Sequence, residues 1–251
     1  AYPDSLGYFK PYACGIARLK DIKEIVGTDL YSENPLSNEV LKDVRKCVNI
    51  SSGPSCIQEM FQYLGNIKDL PEATVIAHNG SKFDQYLVLQ KVFEPHSILK
   101  TGQGIVNLIY TNKYTSPENQ ELIRNKFISK GKITNPTGDF FQKITFRCSL
   151  MHIKSSLDAM CKNFKIPLNI RKTGLDHDEI NQNNYLEKID QWKPYLELDV
   201  ISLASCVIKY SESMTNIVQQ NMTSCISSPG LALKGWFGQK EETVYSHTDP
   251  F

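Results

Sequence analysis

The sequence predicts an α/β protein with a mixed sheet flanked by helices. Three observations carry that reading. Apolar runs of strand length cluster in the first two-thirds of the chain, segments with helical spacing are interleaved among them, and a long amphipathic helix comes last. At 251 residues with 41% hydrophobic side chains, the chain can fill a sizeable core.

In chain order, Phe9 to Leu19 reads as a strand, with Ile25 to Leu30 as its hairpin partner across a charged stretch. Asn34 to Asn49 reads as loop plus a short helix. Between Ser52 and Leu64 the residues Ile57, Met60, Phe61 and Leu64 recur at helical spacing. Val75, Ile76 and Ala77 form a run too short for a helix and end at Asn79-Gly80, so they read as a buried strand followed by a turn. Asn79, Gly80 and Ser81 carry turn and N-cap chemistry, and a helix follows with Phe83, Leu87 and Val88 at helical spacing. Gly104 to Tyr110 is an apolar strand, 116–130 a polar helix, and Phe140 to Cys148 another strand. Leu157, Met160, Cys161 and Phe164 share one face of a helix that cannot continue through Pro167. Residues 166–184 are irregular and polar. From Tyr195 to Val218, Leu196, Val200, Leu203 and Val207 turn one face of a long helix toward the core.

A net charge of +1 provides no global basic field, so any contact with nucleic acid has to come from a local groove. The seven cysteines are odd in number, scattered, and contain no Cys-x-x-Cys. They suggest neither a disulfide framework nor a zinc site, but buried thiols in a reducing, intracellular compartment. No apolar run approaches the ~18–20 residues of a spanning helix, and the first residues lack a signal layout, so the expectation is no membrane anchor.

The chemistry converges on a few carboxylates. Asp84 falls in the first turn of its helix, where the plain reading is an acid gaining ~0.3–1 kcal/mol from the macrodipole. Tyr195 and Asp199 are four apart on the last helix, which sets a phenol beside a carboxylate on one face and turns Glu197 elsewhere. In order, the chain carries Asn79-x-x-x-Phe83-Asp84, Ser149-Leu150-x-x-Ile153, Lys172-x-x-Leu175 and Tyr195-x-x-x-Asp199.

From about Phe9 to Val218 this pattern resembles the proofreading 3′-5′ exonuclease domain of family B DNA polymerases, in the protein-primed branch of phages, linear plasmids and mobile elements. The resemblance implies a ribonuclease H-like fold in a DNA-directed DNA polymerase used in replication. It makes Asp84 and Asp199 the ligands of Mg²⁺, with two ions in a complete domain and Mn²⁺ as an alternative. Tyr195 would orient the attacking water and Lys172 would neutralise charge near the scissile phosphate. Asn79, Phe83, Ser149, Leu150 and His177 would contact the frayed 3′ end. The implied partners are a single-stranded 3′ end, primer-template DNA and a terminal priming protein.

Elementary chemistry supports these roles. Two divalent ions about 4 Å apart stabilise both the attacking and the leaving oxygen of an in-line displacement. Hard ions prefer carboxylates to histidine or cysteine. An aromatic ring can stack a terminal base without reading its identity. Plainer readings exist beside these: Phe83 in the core, Lys172 as a solvated charge, His177 as a surface residue, and Ser149 with Leu150 as packing.

The chain also departs from the family pattern. The expected Asp-x-Glu would lie just before Ala1, so the first strand is expected to be missing, and Pro3 argues against Asp4 as a substitute. Arg147-Cys148-Ser149 stands where Arg-Asp-Ser is expected. Ser227 to Phe237 resembles the join into a polymerase palm. The expected organisation is therefore an exonuclease-like domain over 1–222 and the start of a palm over 223–251, truncated at both ends and inactive as a fragment. Two functional classes follow: an editing domain, or a catalytically dead module that binds single-stranded DNA or a priming protein. An unrelated ribonuclease H-like nuclease is disfavoured by the palm-like tail. The editing reading requires Asp84 and Asp199 to meet.

Overall fold

The computed structural model describes residues 1–4, 6–130, 138–176, 179–181 and 183–238. Its first strands are short: β1 (Tyr2–Pro3) and β2 (Phe9–Lys10) form an antiparallel hairpin. β3 (Ala13–Ile16) pairs antiparallel with β4 (Asn49–Ser52), Ala13 facing Ser52. Between these two strands lie α1 (Leu19–Val26) and α2 (Asn38–Lys46), the latter capped by Ser37, whose side chain accepts from the Val40 N–H.

The expected strand over Ile25 to Leu30 is absent. Its residues end α1 and continue as a 3₁₀ turn, Gly27–Tyr31. Ile22, Val26 and Leu30 recur every four residues and are all buried, so a helical stripe wins over a strand there. The partner of β3 is instead β4, beyond two helices.

α3 (Cys56–Asn66) buries Ile57, Met60, Phe61 and Leu64, as its spacing predicts. Then come β5 (Glu72–Ala77), α4 (Asp84–Lys91), β6 (Ser97–Thr101), β7 (Gly104–Asn112), α5 (Pro117–Ser129) and β8 (Gln142–Cys148). α6 (Leu157–Asn163), the long α7 (Ile189–Val218) and α8 (Ser228–Gly238) complete the described chain. The strands β5, β8, β7 and β6 lie in that order in one sheet. β5 and β8 are parallel, and β7 runs antiparallel to both β8 and β6. The protein is thus α/β, with a mixed sheet flanked by helices.

One core cluster joins α3 to the sheet through Phe61, Leu108, Tyr110, Ile144 and Phe146. A second joins α1, α2, α6 and α7 through Ile22, Val44, Met160, Ile201 and Cys206. Buried amides tie the end of α3 to the sheet: Asn112 donates to the Phe61 carbonyl and to Gln142 Oε1, and Gln142 donates to the carbonyls of Leu64 and Leu70. α7 crosses β3 at Gly15, where a Cβ would lie 3.0 Å from Leu196 Cγ. That close crossing sets the height of the next turn of α7, which carries Asp199. α8 packs back on α7, with Gly235 against Val218.

Candidate carboxylate site and flanking groove

Parallel pairing of β5 with β8 places Ala77 opposite Cys148, so the segments that follow each strand leave the sheet side by side at its carboxyl end. The next residues meet at once: His78 Nδ1 and Ser149 Oγ are 2.9 Å apart. Burial, then the charge of Lys172, hold the imidazole below its ordinary pKa, so His78 is neutral at pH 7. Ser149 is fully buried, and its hydroxyl orients this ring rather than facing outward.

After His78 the chain folds into a tight turn. Asn79 takes a left-handed φ of 60°, which an asparagine tolerates better than most residues. Ser81 is buried, and its carbonyl accepts the Ile105 N–H at 2.9 Å. Gly104 permits this approach: it has φ +103°, and a Cβ there would collide with the Ser81 carbonyl. The helix does not begin at the Asn79–Ser81 turn as its cap chemistry suggests. It begins at Asp84, with Phe83 at the cap position and no side-chain cap bond.

Asp84 therefore stands in the first turn of α4, half-buried. Burial, with a smaller contribution from the negative charge of Asp199, raises its carboxyl above the ordinary value, while its own backbone N–H and the Ala1 amine oppose the rise. The two acids are thus within electrostatic reach. On α7, Tyr195 bonds to Asp199, and burial together with that carboxylate pushes the phenol well up. Lys172 Nζ lies 3.8 Å from Asp199 Oδ2 and 5.7 Å from the centre of the Tyr195 ring. Glu197 faces away, 4.0 Å from Arg45 Nε.

Phe83 is 38% exposed, which removes the core reading for it. Phe9, on the β1–β2 hairpin, meets it edge-on with ring centres 5.3 Å apart. Asn79, Leu150 and Lys172 line a groove of about 680 Å³ together with His78, Lys82, Gln103 and Lys154. His177 lies outside the described residues. Cys148, where the family pattern leads one to expect an acid, is buried. Sequence reasoning passed over His78, Phe9, Lys82 and Lys154. His78 had its neighbour Asn79 as a signal; the other three had none.

The two carboxylates offer oxygen donors suited to Mg²⁺ or Mn²⁺, and a cation beside them would offset the burial, and secondarily the repulsion, that raise Asp84. They do not make the full donor set of a two-ion site, and among the described residues no group of three or more His, Cys, Asp or Glu side chains is placed to hold a metal. No helix among the described residues is long and apolar enough to cross a membrane. Compared with known protein families, curated proteins and solved structures, the chain matches none.

Proposed function

We propose that this chain is the 3′-5′ exonuclease-type editing region of a protein-primed family B DNA polymerase, built on a ribonuclease H-like fold. The observation that carries the reading is that Asp84 and Asp199 lie within electrostatic reach of one another, with Tyr195 bonded to Asp199 and Lys172 Nζ 3.8 Å from its Oδ2. These are the side chains of three separate motifs, and nothing in the local sequence obliges them to converge.

The sheets support the fold assignment. Among the described strands β3 pairs only with β4, and β5 is the edge of its own sheet, yet Cys14 and Ile16 pack on the same core cluster as Ala73 and Val75. In this reading, a strand carrying Asp-x-Glu belongs between β3 and β5, and it would bring the remaining carboxylates.

In the proposed reaction, Asp84 and Asp199 would be the chain's own ligands for a divalent ion, which when bound would supply a Lewis acid for the phosphate and lower the pKa of the attacking water. The protein's own residues do the positioning. Tyr195, held by Asp199, orients the water. Lys172 balances charge at the phosphate. Phe83 stacks the terminal base, which suits an activity that must accept any mismatch. Primer-template DNA and a priming protein are then partners of the whole polymerase.

A second reading, a binding module without catalysis, is favoured by one observation: among the described residues no group of three or more metal-ligating side chains forms here, and Asp199 is already paired with Lys172. One experiment separates the two. The chain extended upstream of Ala1 by an Asp-x-Glu strand is given a labelled single strand with and without Mg²⁺. Mg²⁺-dependent shortening from the 3′ end, abolished by Asp199→Ala, supports editing. A folded but inert extended chain that still retains the strand supports the binding module.

A further inference from the structure

The core between α6 and α7 holds two free thiols in contact. Cys161 on α6 and Cys206 on α7 are both fully buried, and their Sγ atoms lie 3.8 Å apart. The other sulfurs keep different company. Cys14 Sγ meets the thioether of Met60 at 3.4 Å, Cys47 bonds to the Asp43 carbonyl, and Cys225 lies beside the Ser224 hydroxyl. A disulfide needs two thiols, and Cys161 and Cys206 supply them side by side.

The pair is connected to the carboxylate site. Asp199, Ser202 and Cys206 follow one another at helical spacing, so they share one stripe of α7. Cys161 accepts from the backbone N–H of Lys172, and the buried Ser202 hydroxyl donates to the Ile170 carbonyl at 2.7 Å. The segment from Ile170 to Lys172 is thus fastened to both helices, and from it the Lys172 side chain reaches to 3.8 Å from Asp199. The bond with Cys206, then the Lys172 N–H and the charge of Arg171, hold the Cys161 thiol below its ordinary value against the effect of burial, while Cys206 is raised. Cys161 is therefore the nucleophile of the two and Cys206 the resolving thiol.

We propose that Cys161 and Cys206 are a redox pair that a peroxide closes to a disulfide, and that closure frees the Lys172 N–H and loosens the segment carrying Lys172. In the first step the Cys161 thiolate attacks one peroxide oxygen and the O–O bond breaks. The departing hydroxide takes up the proton that Cys161 released, giving water and a sulfenic acid. In the second step the Cys206 sulfur attacks the Cys161 sulfur, the S–O bond breaks, and hydroxide leaves with the Cys206 proton as a second water. The two thiols lose two electrons and the peroxide gains them. Hydrogen peroxide is small and uncharged, so local opening of the core admits it. Closure draws the sulfurs from 3.8 Å to about 2.0 Å, which moves Cys161 Sγ and leaves it an uncharged, weaker acceptor for the Lys172 N–H. The consequence for catalysis rests on the proposed function: a displaced Lys172 no longer balances charge beside Asp199.

The test treats the unmodified chain with hydrogen peroxide, blocks its remaining thiols with iodoacetamide, and maps the unreduced digest by mass spectrometry. Amide exchange is followed before oxidation, after it, and after dithiothreitol. The expected product is a linked peptide pair containing Cys161 and Cys206, reversed by dithiothreitol. Exchange at Lys172 should be roughly five- to tenfold faster in the oxidised form, as for one lost hydrogen bond, with α3 unchanged. Cys206→Ser should give no linked pair and let Cys161 go on to sulfinic acid. The mapping itself needs no variant, so it decides the matter even where Cys206→Ser does not fold. Unreacted thiols at both positions, sulfinic acids at both, links that join other cysteines instead, or a linked pair without faster exchange at Lys172 overturns the proposal. None of these readouts depends on hydrolysis. If the chain extended by an Asp-x-Glu strand is inert in both the reduced and the oxidised form, the proposed function fails and the redox pair stands.

Discussion

Asp84 on α4 and Asp199 on α7 stand close enough for the charge of one to raise the pKa of the other. Two like charges brought together at the carboxyl end of a sheet cost stability, and such an arrangement is characteristic of sites that await a cation. Asp84 is raised from its ordinary 3.8 by burial first and by Asp199 second. A raised carboxyl favours the fold while protonated. That contribution is full below the unfolded value and is lost as pH rises through the higher folded value. Asp84→Asn is therefore expected to raise Tm at pH 7, on the order of 1 kcal/mol or roughly 2–4 °C. The gain should shrink toward zero as pH falls below the ordinary carboxyl range. A thermal melt series against pH checks it, and a variant less stable than the parent at pH 7 would remove the argument for strain between the two acids.

Tyr195 touches Asp199 but is not itself placed as a metal ligand. In the extended, Mg²⁺-dependent chain, Asp199→Ala should bring hydrolysis to background, while Tyr195→Phe should cost ~10- to 100-fold, because it removes one hydrogen bond and leaves the carboxylates in place. Single-turnover rates on a labelled strand distinguish the two. Equal losses would make Tyr195 part of the ligand cage rather than a positioning residue.

Phe83 is exposed and braced edge-on by Phe9. Phe83→Ala should weaken retention on an oligothymidine column by an amount equivalent to ~1–3 kcal/mol per stacked base, with little change in Tm, since the ring is not in the core. Coincident elution of variant and parent would assign the pair to the surface alone.

Gly104 holds the turn between β5 and α4 from beneath. Gly104→Ala adds a Cβ that meets the Ser81 carbonyl on a backbone with φ +103°, so both sterics and conformation oppose it. We expect a loss above ~2 kcal/mol in urea unfolding, with weakened oligothymidine binding at temperatures where the variant remains folded. A variant with parental stability and binding would show that the turn does not depend on that close approach.

The amphipathic helices were legible because their information is local. Ile57, Met60, Phe61 and Leu64 on α3, or Leu157, Met160 and Cys161 on α6, declare one face by spacing alone, and the structure buries them. The same periodicity placed Tyr195 beside Asp199 and turned Glu197 away. β6 was not legible: every residue from Ser97 to Thr101 is exposed, so no alternation marks it. Ile25 to Leu30 misled because a short apolar run does not distinguish strand from helix until its partner is known. Which strands pair was decided by the tertiary fold, since β3 with β4 and β5 with β8 are long-range choices made by competing core packings rather than by any segment alone. The site divides the same way. Sequence determined that Asp84 opens a helix and that Asp199 shares a face with Tyr195. Only the parallel β5–β8 register and the crossing of α7 over Gly15 brought those carboxylates together, set His78 on Ser149, and gathered Lys82, Lys154 and Lys172 into one groove, because electrostatic contact depends on distance through space and not along the chain.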